Sequence, residues 1–152
     1  MSDAGSRHGF TLVEAMLVVV VAGIMAMFGY PKLQQSLIKA NVRNARSQAI
    51  ALYSQARSAA LETGRVARLT FGGTAAVVTA SPRLVAAPSS TVDTIGAPQN
   101  FTQQYGVTVT GSPAAVLTID PRGLGSAATT VYFSRAGVTD SMVVSGFGRV
   151  VK

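Results

Sequence analysis

One carboxylate stands in an otherwise apolar stretch near the start of this chain. Residues 9–14 read Gly-Phe-Thr-Leu-Val-Glu, and an apolar run continues to Tyr30. From residue 10 to residue 30 the only clearly polar side chains are Thr11 and Glu14. A lone acid in hydrocarbon costs several kcal/mol, so its presence there indicates a function. Glu14 is therefore the first candidate functional residue.

The apolar run is long enough to cross a membrane. Its residues, about 21 of them, form roughly 30 Å of helix, which matches the hydrocarbon core of a bilayer. The helical pattern continues beyond it, because apolar residues recur at alternating spacings of four and three and form one stripe. The stripe consists of Ile38, Val42, Ala45, Ala49, Leu52, Ala56 and Ala59. Thr63 and Gly64 provide a stop, with Gly64 as the C-cap.

The hexapeptide at residues 9–14 resembles the prepilin peptidase site of type IV pilins and type II secretion pseudopilins. The resemblance implies cleavage between Gly9 and Phe10, N-methylation of Phe10 and a retained apolar helix. It also implies that Glu14 meets the Phe10 amine of a neighbouring subunit and sets the register of the fibre. The alternative is a plain N-terminal anchor with Glu14 near the lipid head groups. Pro31 matches a helix-breaking proline of pilins, and we expect it to kink or locally melt the helix.

Composition argues against catalysis. The chain has no cysteine, which excludes disulfides and thiolate–metal sites. Its single histidine, His8, would leave with the leader, so the mature chain would have neither a Ser-His-Asp triad nor a histidine zinc site. The remaining carboxylates are well separated in sequence. We therefore expect a non-enzyme without catalytic residues, metal or cofactor.

Beyond Gly64 the pattern changes from helix to strand. Residues 66–71 and 75–80 flank Gly-Gly-Thr, a hairpin signal. Residues 82–104 are rich in Ala, Ser, Thr and Pro and predict a loop with a short strand near 83–86. Runs rich in Val, Thr, Ile, Tyr and Phe predict five further strands. They cover residues 106–110, 115–119, 130–134, 141–144 and 149–151.

These elements predict an α+β fold, in which a long N-terminal helix packs on a mostly antiparallel β domain. The expected divisions are a leader peptide at 1–9, a transmembrane half of the helix at 10–31, an amphipathic half at 32–63 and a β-rich domain at 64–152. The Gly-x-Gly-x-x-Ala sequence at 123–128 precedes β-forming residues rather than a helix. We therefore interpret it as a turn and not as a dinucleotide site.

The C-terminal part resembles the GspH/FimT branch of the pilin-like proteins. Residues 120–123 read Asp-Pro-Arg-Gly, which is typical of a type I turn, and the tail contains Gly148-Arg149. Some FimT proteins bind DNA through Gly-Arg-x-Arg, but here Val151 holds the second arginine position. The candidate DNA-binding residues are Arg149, Lys152, Arg135 and Arg122. Ordinary solvated charge is the alternative reading of these residues.

The resemblance implies a minor type IV pilin or a pseudopilin that joins or primes a fibre of a pilus or a type II secretion system. A FimT-like DNA-binding pilin for natural transformation is the alternative. Expected partners are prepilin peptidase, other pilin or pseudopilin subunits and inner-membrane lipid, with DNA in the alternative case. The net charge of +7 favours anionic partners. By the positive-inside rule alone, the basic residues after the apolar run would place the C-terminal side in the cytoplasm. The family resemblance implies the opposite orientation, with a periplasmic C-terminal domain.

Overall fold

A computed structural model describes residues 10–81 and 93–151. The predicted leader, the predicted strand at 83–86 and Lys152 lie outside these residues. The described part has the α+β fold that the sequence predicts: one long helix followed by antiparallel sheets. It divides into two compact units, which meet in sequence between Leu37 and Ile38.

The first helix, α1, covers Leu12–Thr63. Thr11 caps its start, because the Thr11 hydroxyl accepts a hydrogen bond of 3.2 Å from the backbone N–H of Glu14. The backbone remains helical through Pro31, so local melting there is wrong and the kink stays a prediction. Because proline has no backbone N–H, the helix lacks one hydrogen bond at Pro31, and it continues past this residue. Gly64 follows the helix with a φ of 62°, as a C-cap glycine does.

The strands of the second unit form two antiparallel sheets. The strands are β1 (Ala67–Phe71), β2 (Ala75–Ala80), β3 (Asp93–Thr94), β4 (Gln99–Asn100), β5 (Thr108–Ser112), β6 (Val116–Ile119), β7 (Thr129–Arg135), β8 (Val138–Val144) and β9 (Val150–Val151). The first sheet has the order β3-β2-β1-β6, with β4 also paired to β2. The second has the order β5-β7-β8-β9. A short helix, α2 (Phe101–Tyr105), stands between β4 and β5.

The core of this unit lies between the second part of α1 and the sheets. Six residues of the predicted stripe are buried, namely Val42, Ala45, Ala49, Leu52, Ala56 and Ala59. Several are alanines, so the sheet side chains can approach the helix closely. Leu69 and Phe133 are fully buried on the sheet side. Phe101 joins them, with its ring centroid 6.2 Å from that of Phe133.

The structure corrects two of the strand and loop predictions. Part of the loop predicted at 82–104 is wrong, because β3, β4 and most of α2 fall within it. Two caps hold α2 in place. The Asn100 side chain accepts a bond of 3.0 Å from the N–H of Gln103, and Gly106 caps the other end at a φ of 64°. The strand predicted at 141–144 begins earlier, at Val138. A tight turn with positive φ at Ala136 and Gly137 joins it directly to β7.

Candidate functional site: the helix start and the C-terminal basic surface

The first predicted site is the start of α1. Phe10 and Glu14 are both exposed, and Gly9 lies outside the described residues. Glu14 stands in the first helical turn, where a negative side chain is favoured by the helix dipole. Its carboxylate forms no ion pair within residues 10–81 and 93–151. The acid is therefore available to a cation from outside the chain.

The residues that follow Glu14 form an apolar segment, defined here as residues 12–30. Its large apolar side chains are exposed wherever the structure describes them. Among the described helices, only α1 is long and apolar enough to cross a membrane, and its apolar stretch lies near the N-terminus. A helix that is apolar all round needs lipid or other protein around it. Exposure of this apolar surface to water is therefore unfavourable.

The second predicted site, the set of basic residues, is only partly brought together. Arg149 is exposed in the loop between β8 and β9, and Arg122 is exposed in the turn at 120–123. These two segments adjoin: a β-carbon placed on Gly148 would lie 2.8 Å from the carbonyl oxygen of Gly123. Lys152 lies outside the described residues.

Arg135 does not belong to that group. It pairs with Val138 at the beginning of β8, whereas Arg149 follows the other end of this strand. A seven-residue strand is about 20 Å long, so the two guanidinium groups start from opposite ends of the sheet. Arg135 also donates a hydrogen bond to the carbonyl oxygen of Tyr105. Its position indicates a structural role in holding α2.

The glycine of the Gly-Arg tail has its own structural reason. Gly148 adopts a φ of 73°, which favours glycine, and its N–H donates a 2.9 Å bond to the carbonyl oxygen of Ser145. The adjoining Gly123 closes the turn predicted at 120–123, where its N–H bonds to the carbonyl oxygen of Asp120 at 2.9 Å. Residues 123–128 contain no helix, in agreement with a turn rather than a dinucleotide site.

Beside Arg149 the structure places residues that the sequence did not single out. A pocket of about 430 Å³ lies between α1 and the β8–β9 loop. We call it the Tyr53 pocket. Its lining includes Tyr53, Arg57, Leu61, Phe147, Gly148 and Arg149. Arg57 and Arg149 are 92 positions apart in sequence, so no local pattern could have paired them.

Tyr53 is the buried member of this pocket. Its side chain belongs to the core, yet its hydroxyl has no hydrogen-bond partner within the described residues. Burial raises the pKa of Tyr53, and the charge of Arg57 partly opposes that rise. The hydroxyl is therefore protonated at neutral pH and can donate a hydrogen bond.

A second basic cleft, of about 660 Å³, lies between α1 and the start of β8. Lys39, Arg43 and Arg46 line it on the helix side. Arg46 contacts both carboxylate oxygens of Asp140 at 2.8 Å, and both side chains are largely buried. This pair fastens the helix to the second sheet. Within the described residues, no cluster of three or more His, Cys, Asp or Glu could hold a metal ion.

Comparison with known proteins agrees with this geometry. Residues 5–30 match the family described as the prokaryotic N-terminal methylation motif. Two curated proteins of Pseudomonas aeruginosa, both named fimbrial protein, are 40% identical over 57 residues, which is 38% of this chain. The match covers 37% of the length of each of those relatives.

The fold is similar to that of a solved minor pilin. A crystal structure of the type IV minor pilin FimU from Pseudomonas aeruginosa superposes with a TM-score of 0.57 and 14% identity, over 74% of this chain and 88% of FimU. A second crystal form gives a TM-score of 0.52 and 16% identity, over 72% and 90%. The chain therefore carries a prokaryotic N-terminal methylation motif at its start, followed by a fold similar to that of FimU.

Proposed function

We propose that the chain is a structural, non-catalytic subunit of a type IV pilus or type II secretion fibre. In this proposal prepilin peptidase cleaves between Gly9 and Phe10, and Phe10 becomes N-methylated. The observation that carries it is the order of three features at the N-terminus. A methylation motif matches residues 5–30, a capped helix starts at Leu12, and an exposed apolar segment follows.

The position of the proposed new amine explains why an acid is needed. A cationic amine at Phe10 would stand beside the start of α1, which already carries a partial positive charge. The Glu14 carboxylate of an adjacent subunit could neutralise such an amine in a poorly solvated setting. Each subunit would then be held at a fixed register along the fibre. The apolar segments would pack on one another and leave the lipid.

The proposed location follows from the same segment. Before assembly the apolar segment lies in the inner membrane as a single pass, with the C-terminal domain in the periplasm. The partners are prepilin peptidase, other pilin or pseudopilin subunits and membrane lipid. A low-abundance role that initiates or caps a fibre suits the minor pilin fold.

Glu14→Val tests the assembly step. The substitution leaves membrane insertion intact, since removing an acid from an apolar helix does not weaken its partition into lipid. Incorporation into sheared fibres should fall roughly tenfold or more, the effect expected when a desolvated charge pair is lost. Immunoblots of fibre and membrane fractions measure both quantities. Glu62→Val, at an exposed acid near the other end of α1, is the matched control. Equal incorporation of the Glu14 variant and wild type would refute the assembly role.

DNA binding is the second candidate function. The observation that favours it is the adjacency of the segments carrying Arg122 and Arg149. Phosphate contacts release counterions, so binding to duplex DNA should fall steeply with salt and show no sequence preference. Replacing Arg149 and Lys152 with Gln should flatten the salt slope by about two units if both contact phosphate. Arg83→Gln serves as a control for diffuse charge, and absence of binding at low salt would remove this candidate.

A further inference from the structure

The Tyr53 pocket contains a buried hydrogen-bond donor without an acceptor. Tyr53 is 2% exposed, and its hydroxyl is unpaired within the described part of the chain. Leaving a buried polar group unpaired costs free energy, so a ligand that supplies the partner gains affinity. The hydroxyl is protonated at neutral pH, so it can donate a hydrogen bond to an acceptor oxygen of a ligand.

Two cations make a negatively charged acceptor the best fit. Arg57 and Arg149 both line the pocket. Neither forms an ion pair within residues 10–81 and 93–151. A guanidinium presents several donors in a planar fork that suits carboxylate or phosphate oxygens. Three side chains thus offer hydrogen bonds or positive charge to one small volume.

Two apolar side chains and one glycine also line the pocket. A β-carbon on Gly148 would lie 3.1 Å from the Tyr53 hydroxyl oxygen, so a larger residue would crowd the donor. Phe147 stands beside this glycine and is 82% exposed. Leu61 is exposed on the helix side of the same pocket. An exposed aromatic next to arginines is the composition typical of protein interface anchors.

We propose that the Tyr53 pocket binds a carboxylate side chain of another pilin-type subunit, whose neighbouring apolar residue packs on Phe147. This docking site rests on the proposed fibre function, and it adds a contact outside the apolar segment. The pocket's volume of about 430 Å³ suits one or two side chains. A single nucleic acid strand needs a longer basic track with stacking rings, and Arg135 lies at the far end of β8 from this pocket.

Site-specific crosslinking in cells tests the proposal on the full chain. Phe147 is replaced by p-benzoylphenylalanine, and the crosslinked product is identified by mass spectrometry. We expect a crosslink to another pilin-type subunit, within a few residues of an Asp or Glu. The same photoreactive residue at Tyr132, which is exposed on β7, is the position control and should not capture that segment.

Three substitutions then show whether the pocket recognises the acid. Arg57→Gln, Arg149→Gln and Tyr53→Phe should each lower the crosslink yield roughly tenfold, because each removes a bond to a charged group. Arg68→Gln, at an exposed arginine on β1, is the matched control. Replacing the acid of the crosslinked subunit by Lys should restore the crosslink yield of the Arg57→Glu variant. The same replacement should not raise the crosslink yield with wild type or with the other variants.

The outcomes separate this proposal from the proposed function. Normal processing and fibre incorporation without the Phe147 crosslink would overturn the docking site alone. A crosslink to DNA, to a segment without an acid, or one that the arginine substitutions leave unchanged would also overturn it. If the wild-type chain were neither processed nor incorporated into fibres, the fibre role itself would be refuted.

Discussion

The two parts of α1 share one helical backbone and differ in what their side chains meet. In the apolar segment, residues 12–30, the described large apolar side chains are exposed. In the packed segment, defined here as residues 38–63, one stripe is buried in a core and the other faces carry Arg, Gln and Ser. The first pattern is apolar all round, and the second is amphipathic.

This difference indicates that the packed segment contributes to the stability of the fold, whereas the apolar segment is available for other contacts. The packed segment is rich in alanine at its buried positions, and these small side chains allow close contact with the sheets. Its apolar stripe is therefore already covered by protein. In the apolar segment the large apolar side chains are exposed wherever the structure describes them. Its side chains would gain from an apolar environment, which lipid or another protein surface could provide. We infer that substitutions in the packed segment change folding, and substitutions in the apolar segment change location and assembly.

Removal of the apolar segment should have the largest effect. A chain that starts at Lys32 should move entirely from the membrane to the soluble fraction. It should remain monomeric and mixed helix–strand, since the packed segment keeps its sheets. Fractionation, circular dichroism and gel filtration measure these properties. A spectrum with little strand, or continued membrane association, would break the comparison.

One leucine from each part gives a matched pair for stability. Leu52 is 6% exposed, and Leu17 is 63% exposed. Leu52→Ala should lower the free energy of unfolding by about 2–4 kcal/mol, because it opens a cavity in the core. Leu17→Ala should stay within about 0.5 kcal/mol of wild type. Urea unfolding in detergent micelles measures both, and equal losses would show that the two parts do not differ as described.

The ion pairs of the second unit predict a smaller effect. Arg46 and Asp140 have side chains 18% and 26% exposed, with a contact of 2.8 Å. Asp140→Asn should cost about 1–2 kcal/mol, since it leaves a largely buried arginine without its carboxylate. The control is Asp93→Asn, because Asp93 is 69% exposed and lies 3.3 Å from Arg65. That change should cost at most about 0.5 kcal/mol. The opposite order in urea unfolding would contradict the packing of this unit.

The smallest effect concerns alkaline pH. Burial raises the pKa of Tyr53 above its ordinary value of 10.0. As pH rises above that value the unfolded chain loses the tyrosine proton first, so the free energy of unfolding declines. Tyr53→Phe should make this decline shallower, because it removes the proton that the folded chain retains longer than the unfolded chain. Urea unfolding at pH of about 8 and about 11 compares the variant with wild type. An equally steep decline in the Tyr53 variant would show that this hydroxyl does not contribute.

The sequence predicted those features that depend on local pattern. The period of the stripe placed the buried face of α1, and the Gly-Gly-Thr signal placed the hairpin between β1 and β2. The helix α2 was missed because its Pro- and Ala-rich surroundings outweighed two available signals, the N-cap Asn100 and the C-cap Gly106. A propensity argument averages over a window, whereas a cap acts through single hydrogen bonds.

Features that depend on pairing between distant residues could not be predicted. The division into two sheets follows from strand order, which no single run of residues encodes. The Tyr53 pocket joins α1 to the β8–β9 loop, and only the fold brings Arg57 to Arg149. For the same reason Arg135 was grouped with Arg149 in sequence, although the sheet separates them.

The N-terminus of the mature protein tests the central claim most directly. The protein is co-expressed with a prepilin peptidase, and its N-terminal peptide is identified by mass spectrometry. The account predicts a chain that begins at N-methylated Phe10, with no cleavage in Gly9→Val and normal cleavage in the matched control Gly5→Val. A mature chain that begins at any other residue, or efficient cleavage of Gly9→Val, would contradict it.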